Sequence, residues 1–264
     1  MARVRYVKSP EQLKRAAETN PEFLPSTVRS IRCVYETDPA IAAAVIPRPL
    51  VPAERPEVCV TFSHVAMQIA PGTTFEIGST IFGVRAIYDG TPGIWLLTMP
   101  MTSEQAVVPG RETYGEPKKI AAIDFAAEGD RVSARVTRMG VSYLEVEGAL
   151  GESLAPRDFV EHGFCVKAFP SCEKGKGFDQ EPLLVRLAWQ HRHERVQRVT
   201  GRLTLRESAF DPVADLPVRK LVTLEYEVGR TESNGKVLRA IPGEWLAPFL
   251  HQRYDDPTAE GVEV

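Results

Sequence analysis

Proline and glycine recur along the whole chain, 21 and 19 times in 264 residues, and cut it into short apolar runs. That even punctuation constrains the fold more than any other feature. It leaves little room for long helices, and the runs between turns lack the strand–helix alternation of a parallel sheet. Apolar, β-branched and aromatic residues instead follow one another in strand-like stretches. These are Arg29–Tyr35, Val58–Ile69, Thr74–Tyr88, Ile94–Met99, Ile120–Phe125, Arg131–Thr137, Ser142–Glu147, Phe164–Ala168, Leu183–His193, Gln197–Leu205 and Val218–Val228. Asp89-Gly90 and Pro92-Gly93 mark a hairpin. Helix signals are few. Asp38 before Pro39 caps Ala40–Ile46, Ser103 or Thr102 caps Glu104–Val108, and the amphipathic Trp245–Arg253 is predicted to close the chain as a helix. No repeat of 20–50 residues appears. The expectation is an α+β chain, mainly antiparallel β, with residues 1–264 as one domain closing into a barrel with a few short peripheral helices.

Charge narrows the partners. With 32 Lys+Arg against 35 Asp+Glu the net charge is −3, which supplies neither a basic stripe for nucleic acid nor a polybasic patch for membranes. Apolar stretches such as Ile41–Ile46 fall far short of the roughly 20 residues that cross a bilayer. The start MARVRYVKSPEQLKR lacks the apolar core of a secretory signal. Cys33, Cys59, Cys165 and Cys172 form no C-x-x-C pair, so free thiols in a reducing cytoplasm are expected, with Cys165 and Cys172 inert.

The segment richest in chemistry is Gly110–Lys119, GRETYGEPKK, followed by the apolar Ile120–Ile123. Proline biases Glu116 toward an extended backbone, so the chain enters Lys118 straight. In a strand, Lys118, Ile120 and Ala122 share one face and Lys119, Ala121 and Ile123 the other, so one lysine points toward an apolar interior. Burial or a second cation drives a lysine toward its neutral amine, the nucleophile that condenses with a ketone. Both ammonium heads reaching out to water is the bland alternative. His191-x-His193 has a spacing that metals use, but no Cys, Asp or Glu cluster completes such a site, and no metal is expected. No G-x-S-x-G, P-loop or dinucleotide fingerprint is present.

GRETYGEPKKIA resembles the signature of the acetoacetate decarboxylase family, a Gly-Arg-Glu element followed by Tyr/Phe-Gly-x-Pro-Lys-Lys. Lysine activation by desolvation or a neighbouring cation is the mechanism known for those enzymes, and it is carried over with the resemblance. Further segments follow the family's order: VYETDP (Val34–Pro39), YDGTPG (Tyr88–Gly93), Met99 with Glu104 and Ala106, Met139-Gly140, FCVKAFPS (Phe164–Ser171) and DLPV (Asp215–Val218). The resemblance implies an antiparallel barrel or cone within a homo-oligomer, acting on a small keto acid without a cofactor. It makes Lys118 the Schiff-base nucleophile and Lys119 its catalytic neighbour. Arg111 and Glu112 become a buried ion pair that positions the loop. Met99 becomes pocket wall, and Glu116 a candidate proton shuttle.

Departures from the family pattern fall on its early arginine and two acidic pocket residues, whose positions here hold Val28, Ser63 and Ser79. The nearest candidates for the substrate end are Arg29, His64 and Glu76, and a one-residue offset in a strand reverses the face. The imine allows two outcomes: decarboxylation of a 3-oxo acid, the family default, or deprotonation to an enamine that attacks an aldehyde and later loses water. A non-catalytic barrel binding a small keto or apolar ligand is the alternative of a different class.

Overall fold

The computed structural model describes residues 4–19, 26–70 and 73–264. Twelve strands are present among them: β1 (Ser26–Glu36), β2 (Val51–Pro52), β3 (Glu57–Ala70), β4 (Thr73–Tyr88), β5 (Thr91–Met101), β6 (Lys118–Ile120), β7 (Ala122–Glu128), β8 (Arg131–Arg138), β9 (Val141–Leu154), β10 (Asp158–Lys167), β11 (Leu183–Leu205) and β12 (Lys220–Ala240). They form one mixed sheet, mostly antiparallel. β5 pairs in parallel with both β6 and β10. Because β10 also pairs along its length with β11, the pairings run β10–β5–β4–β3–β1–β12–β11 and return to β10. β9, β8 and β7 continue outward from the second half of β11.

Helices are short, as the punctuation predicts. α2 (Pro39–Ala44) begins where Asp38 accepts a hydrogen bond from the Ala40 amide. α3 (Glu104–Pro109) begins at Ser103, whose hydroxyl accepts from the Gln105 amide. Three expectations change. The stretches Leu183–His193 and Gln197–Leu205 are one strand, kinked by a bulge between His193 and Arg195 that breaks the two-residue period. The closing helix is shorter than its pattern: α4 (Gly243–Leu246) gives way to two 3₁₀ turns, Ala247–Phe249 and His251–Tyr254, with Pro248 removing an amide donor. The helix α1 (Pro10–Thr19), opened by Ser9 and Gln12 capping each other, was unforeseen because it is exposed and has no apolar stripe against the core.

The ring of strands has two faces. On one, Val34, Cys59, Leu96, Met99, Cys165, Leu187 and Trp189 make a compact apolar cluster, called below the Trp189 face. On the other, Ile31, Cys33, Tyr35, Val60, Phe62, Phe82 and Val84 pack against Val132, Ala134 and Val136 of β8 and Leu144 and Val146 of β9. This Tyr35 face is the larger core. Tyr35 is fully buried and its hydroxyl donates to Leu216 O at 2.8 Å. Truncating a fully buried ring such as Phe62 to alanine would cost about 3–5 kcal/mol. Strand parity decides which face a residue joins, and so decides the site. Among the described residues no helix is long and apolar enough to cross a membrane.

Candidate active site

α3 runs into a single π-helical turn, Gly110–Tyr114, which Gly115 ends at a φ of 76°. A side chain at Gly115 would strike the Lys167 backbone as well as strain the left-handed conformation, so the turn can lie directly on β10. Glu116 and Pro117 then lead into β6, where Lys118 pairs with Met99 of β5. Met99 is buried in the cluster of the Trp189 face.

Lys118 Nζ lies 2.8 Å from Glu116 Oε2, and the two side chains are only 13% and 8% exposed. Gly110 makes this pairing possible. A Cβ there would sit 2.8 Å from Lys118 Nζ and closer still to Glu116 Oε2. Around the pair lie Tyr114, whose carbonyl accepts from Cys165 Sγ at 3.2 Å, and Cys165 itself. Burial, reinforced by the Glu116 charge, pushes the Cys165 thiol far up, so it stays protonated and is no competing nucleophile. Arg111 holds the strand from behind. Its Nη1 donates to Lys118 O at 2.9 Å and Arg253 O at 3.3 Å, and its guanidinium lies over the Tyr254 ring.

Three expectations are corrected here. Lys119 does not stand beside Lys118 as a second cation, because strand alternation sends it to the other side of β6. Its Nζ donates to Phe210 O at 2.8 Å and pairs with Asp255 at 2.8 Å and Asp211 at 3.3 Å. Arg138 closes the network, reaching Asp211 at 2.6 Å and Asp255 at 2.7 Å. Burial pushes the Asp211 carboxyl up against the pull of both cations. Burial also works on Asp255, but hydrogen bonds from Arg138 and Lys119 hold it below the usual carboxylate range. Second, the expected Arg111–Glu112 ion pair is absent: Arg111 serves carbonyls, and Glu112 is exposed.

Third, Arg29, His64 and Glu76 do come together, but away from Lys118. Arg29 Nη2 lies 3.4 Å from His64 Nδ1, and His64 Nε2 lies 3.6 Å from Glu76 Oε2. His64 also neighbours Phe125 of β7. By strand parity all three belong to the Tyr35 face, whereas Val28, Ser30, Ser63 and Ser79 share the Trp189 face, where Ser30 and Ser63 hydroxyls meet at 2.8 Å.

The Trp189 face also holds a buried ionic group that no single motif announces. Arg32 pairs with Glu161 through both terminal guanidinium nitrogens, Nη1 and Nη2, and Arg85 approaches Glu161 at 3.8 Å. His191 stacks on Phe159 with centroids 4.8 Å apart, and its Nε2 lies 3.9 Å from Glu161. His193 faces Glu227 at 3.6 Å, and Glu227 also pairs with Arg157. Burial outweighs Glu161 and drives His191 down to about 4. Among the described residues no three His, Cys, Asp or Glu side chains gather as a metal site would require. His191 and His193 instead stand between arginines and acids that satisfy one another.

Comparison with known proteins agrees on one family. The family model described as acetoacetate decarboxylase matches residues 8–240. The acetoacetate decarboxylase of Ralstonia nicotianae is 28% identical over 236 residues, covering 79% of this chain and 86% of its own. The crystal structure of the Legionella pneumophila acetoacetate decarboxylase is similar with a TM-score of 0.69 at 19% identity, over 83% of this chain and 88% of its own. MppR, an enduracididine biosynthesis enzyme solved with the condensation product of pyruvate and imidazole 4-carboxaldehyde, gives 0.67 at 15% identity over 83% and 90%. These two structural likenesses concern the fold.

Proposed function

The chain belongs to the acetoacetate decarboxylase family, and from that premise we propose that it is a carbon–carbon lyase acting on a keto acid through an imine at Lys118. In this reading the ring of strands is a barrel wall in one domain spanning residues 1–264, with the Trp189 face as its interior. The carrying observation is the 2.8 Å contact of Lys118 Nζ with Glu116 Oε2, both nearly buried. A nucleophilic amine needs a nearby group to take its proton and return it, and Glu116 stands at that distance.

Glu116 takes a proton from the Lys118 ammonium. The freed amine adds to the keto carbon, and the carbonyl oxygen takes the proton from Glu116. The resulting carbinolamine nitrogen yields a proton to Glu116, which passes it to the departing hydroxyl as water, leaving an imine. Protonated, that imine is an electron sink. If a carboxylate leaves as carbon dioxide, the electrons of the broken bond pass into the imine to give an enamine. If Glu116 instead removes a proton from the adjacent carbon, a different enamine forms, one that retains the carboxylate. It can then attack an aldehyde, forming a carbon–carbon bond whose alkoxide takes the proton back. Loss of water and hydrolysis free Lys118.

Glu116 favours the second outcome, since decarboxylation requires no base at the adjacent carbon. The names of the curated relatives favour the first. Incubation with pyruvate or acetoacetate plus borohydride, followed by intact mass, tests the shared step. The expected result is an adduct; none with any keto acid would defeat the reading. Deuterium uptake at the pyruvate methyl against carbon dioxide release from acetoacetate then separates the two outcomes.

A further inference from the structure

Arg253 drew no attention in the sequence. It lies in the last 3₁₀ turn, after the strands are complete, and no motif marks it. In the fold it reaches the seam between β10 and the Lys118 loop. Its Nη1 donates to Val166 O at 2.7 Å, next to Cys165, and its own carbonyl accepts from the Arg111 guanidinium that holds Lys118 O. Val166 follows Cys165, whose Sγ donates to Tyr114 O in the loop that leads to Glu116 and Lys118, so Arg253 lies at the seam that this loop covers.

Its partners are incomplete. Arg253 Nε is shielded from solvent and has no hydrogen-bond acceptor. Among the described residues no carboxylate pairs with it. Three buried cations elsewhere differ: Arg32 holds Glu161, and Lys119 and Arg138 share Asp211 and Asp255, while Arg186 of β11 also has an Nε without an acceptor. The nearest charge to Arg253 in the sequence, Asp255, is already committed to that second network. A further guanidinium, Arg111, stands beside it, and burial followed by Arg111 holds Arg253 below the usual arginine range. A buried guanidinium beside a like charge, with a free donor and no acid, lacks an anion.

We propose that Arg253 binds the carboxylate of the keto acid whose carbonyl Lys118 attacks, and that this carboxylate is retained through the reaction. The proposal rests on the Schiff-base reading above and deepens it. A carboxylate held by a guanidinium is stabilised as an anion, whereas departure as carbon dioxide discharges it. An anchored carboxylate therefore resists loss, and the substrate class becomes a 2-keto acid that forms an enamine at its other carbon. Arg111 acts as a positioning residue, fixing the backbone of Arg253 relative to that of Lys118.

The test compares two ketones, pyruvate and uncharged butanone, in cyanoborohydride trapping followed by intact mass. Arg253→Gln is expected to slow trapping at limiting pyruvate by at least about 30-fold, the effect of removing one partner of a buried charged contact. Trapping of butanone should be unchanged, which also reports that the variant has folded. Arg253→Lys should recover part of the pyruvate rate. Equal loss with both ketones would make Arg253 a structural pin and overturn the proposal, as would no loss with either. A second arm avoids the imine. In Lys118→Ala, pyruvate should still raise Tm, and adding Arg253→Gln should abolish that rise. If the wild-type protein traps neither ketone, the imine reading falls while this arm still decides Arg253. An unchanged pyruvate shift in the double variant would overturn the proposal.

Discussion

Lys118 and Lys119 leave the same three-residue strand from opposite sides and meet opposite surroundings. Lys119 is saturated, with a carbonyl and two carboxylates around its ammonium and Arg138 closing the set. Lys118 has a single carboxylate against an apolar wall that includes Met99 and Cys165. Both are buried lysines with acidic partners, so neither burial nor pairing alone marks a reactive amine. The difference lies in what the partners leave free. A network with every charge answered fixes structure, because a proton cannot leave it without stranding another charge. A single pair can pass its proton between two atoms and leave a neutral amine and a neutral acid. That contrast separates a structural region from a chemical one within two residues.

The contrast can be broken from either side. Lys118→Ala should abolish borohydride-trapped adduct completely in the folded protein. Glu116→Gln keeps the shape but removes the proton carrier, and should lower the rate of imine formation by about 10²–10⁴-fold in a stopped reaction read by mass. Lys119→Met should do the reverse. It breaks a buried network and should cost about 3–5 kcal/mol in urea unfolding, yet still give adduct with keto acid in the folded protein.

The parity that separates the lysines was legible in the sequence, and so was the contiguous GRETYGEPKK stretch that holds Gly110, Glu116 and Lys118. The strands were legible because apolar and polar residues alternate along them. What failed followed from physical causes. Lys119 entered the chemistry through the family resemblance, although adjacent residues of a strand point to opposite faces. Arg29, His64 and Glu76 fell to the same rule, although they do assemble with one another. The continuity of β11 was hidden by its bulge. Arg253 was invisible because its partners, Val166 and Arg111, lie 87 and 142 residues away, and no local pattern encodes such a contact.

Smaller effects sharpen the comparison further. Gly110→Ala places a methyl against both members of the reactive pair without touching the Lys119 network. It should lower the trapping rate by about 10²-fold, the scale of a displacement near 1 Å at a reacting group, with stability little changed. The third ionic group, around Glu161, should show itself only in acid. His191 titrates near 4 in the fold against 6.5 in its ordinary state, facing Glu161, Arg32, His193 and Arg157. The unfolded chain therefore binds a proton that the native one lacks between those values, and stability falls as pH drops from 6.5 toward 4. Glu161, which burial pushes up but Arg32 pulls below the usual carboxylate range, loses its contribution only below the ordinary glutamate value. The His191 part is at most about 3 kcal/mol, and His191→Phe, which keeps the stack on Phe159, should flatten the slope of urea midpoint against pH over that window.

The most direct measurement of the central claim is the location of the covalent bond. Wild-type protein reduced with borohydride in the presence of pyruvate or acetoacetate, digested and mapped by tandem mass spectrometry, should carry the added mass on Lys118 and leave Lys119 unmodified. Adduct on Lys119, or on neither lysine of the pair, would contradict the account.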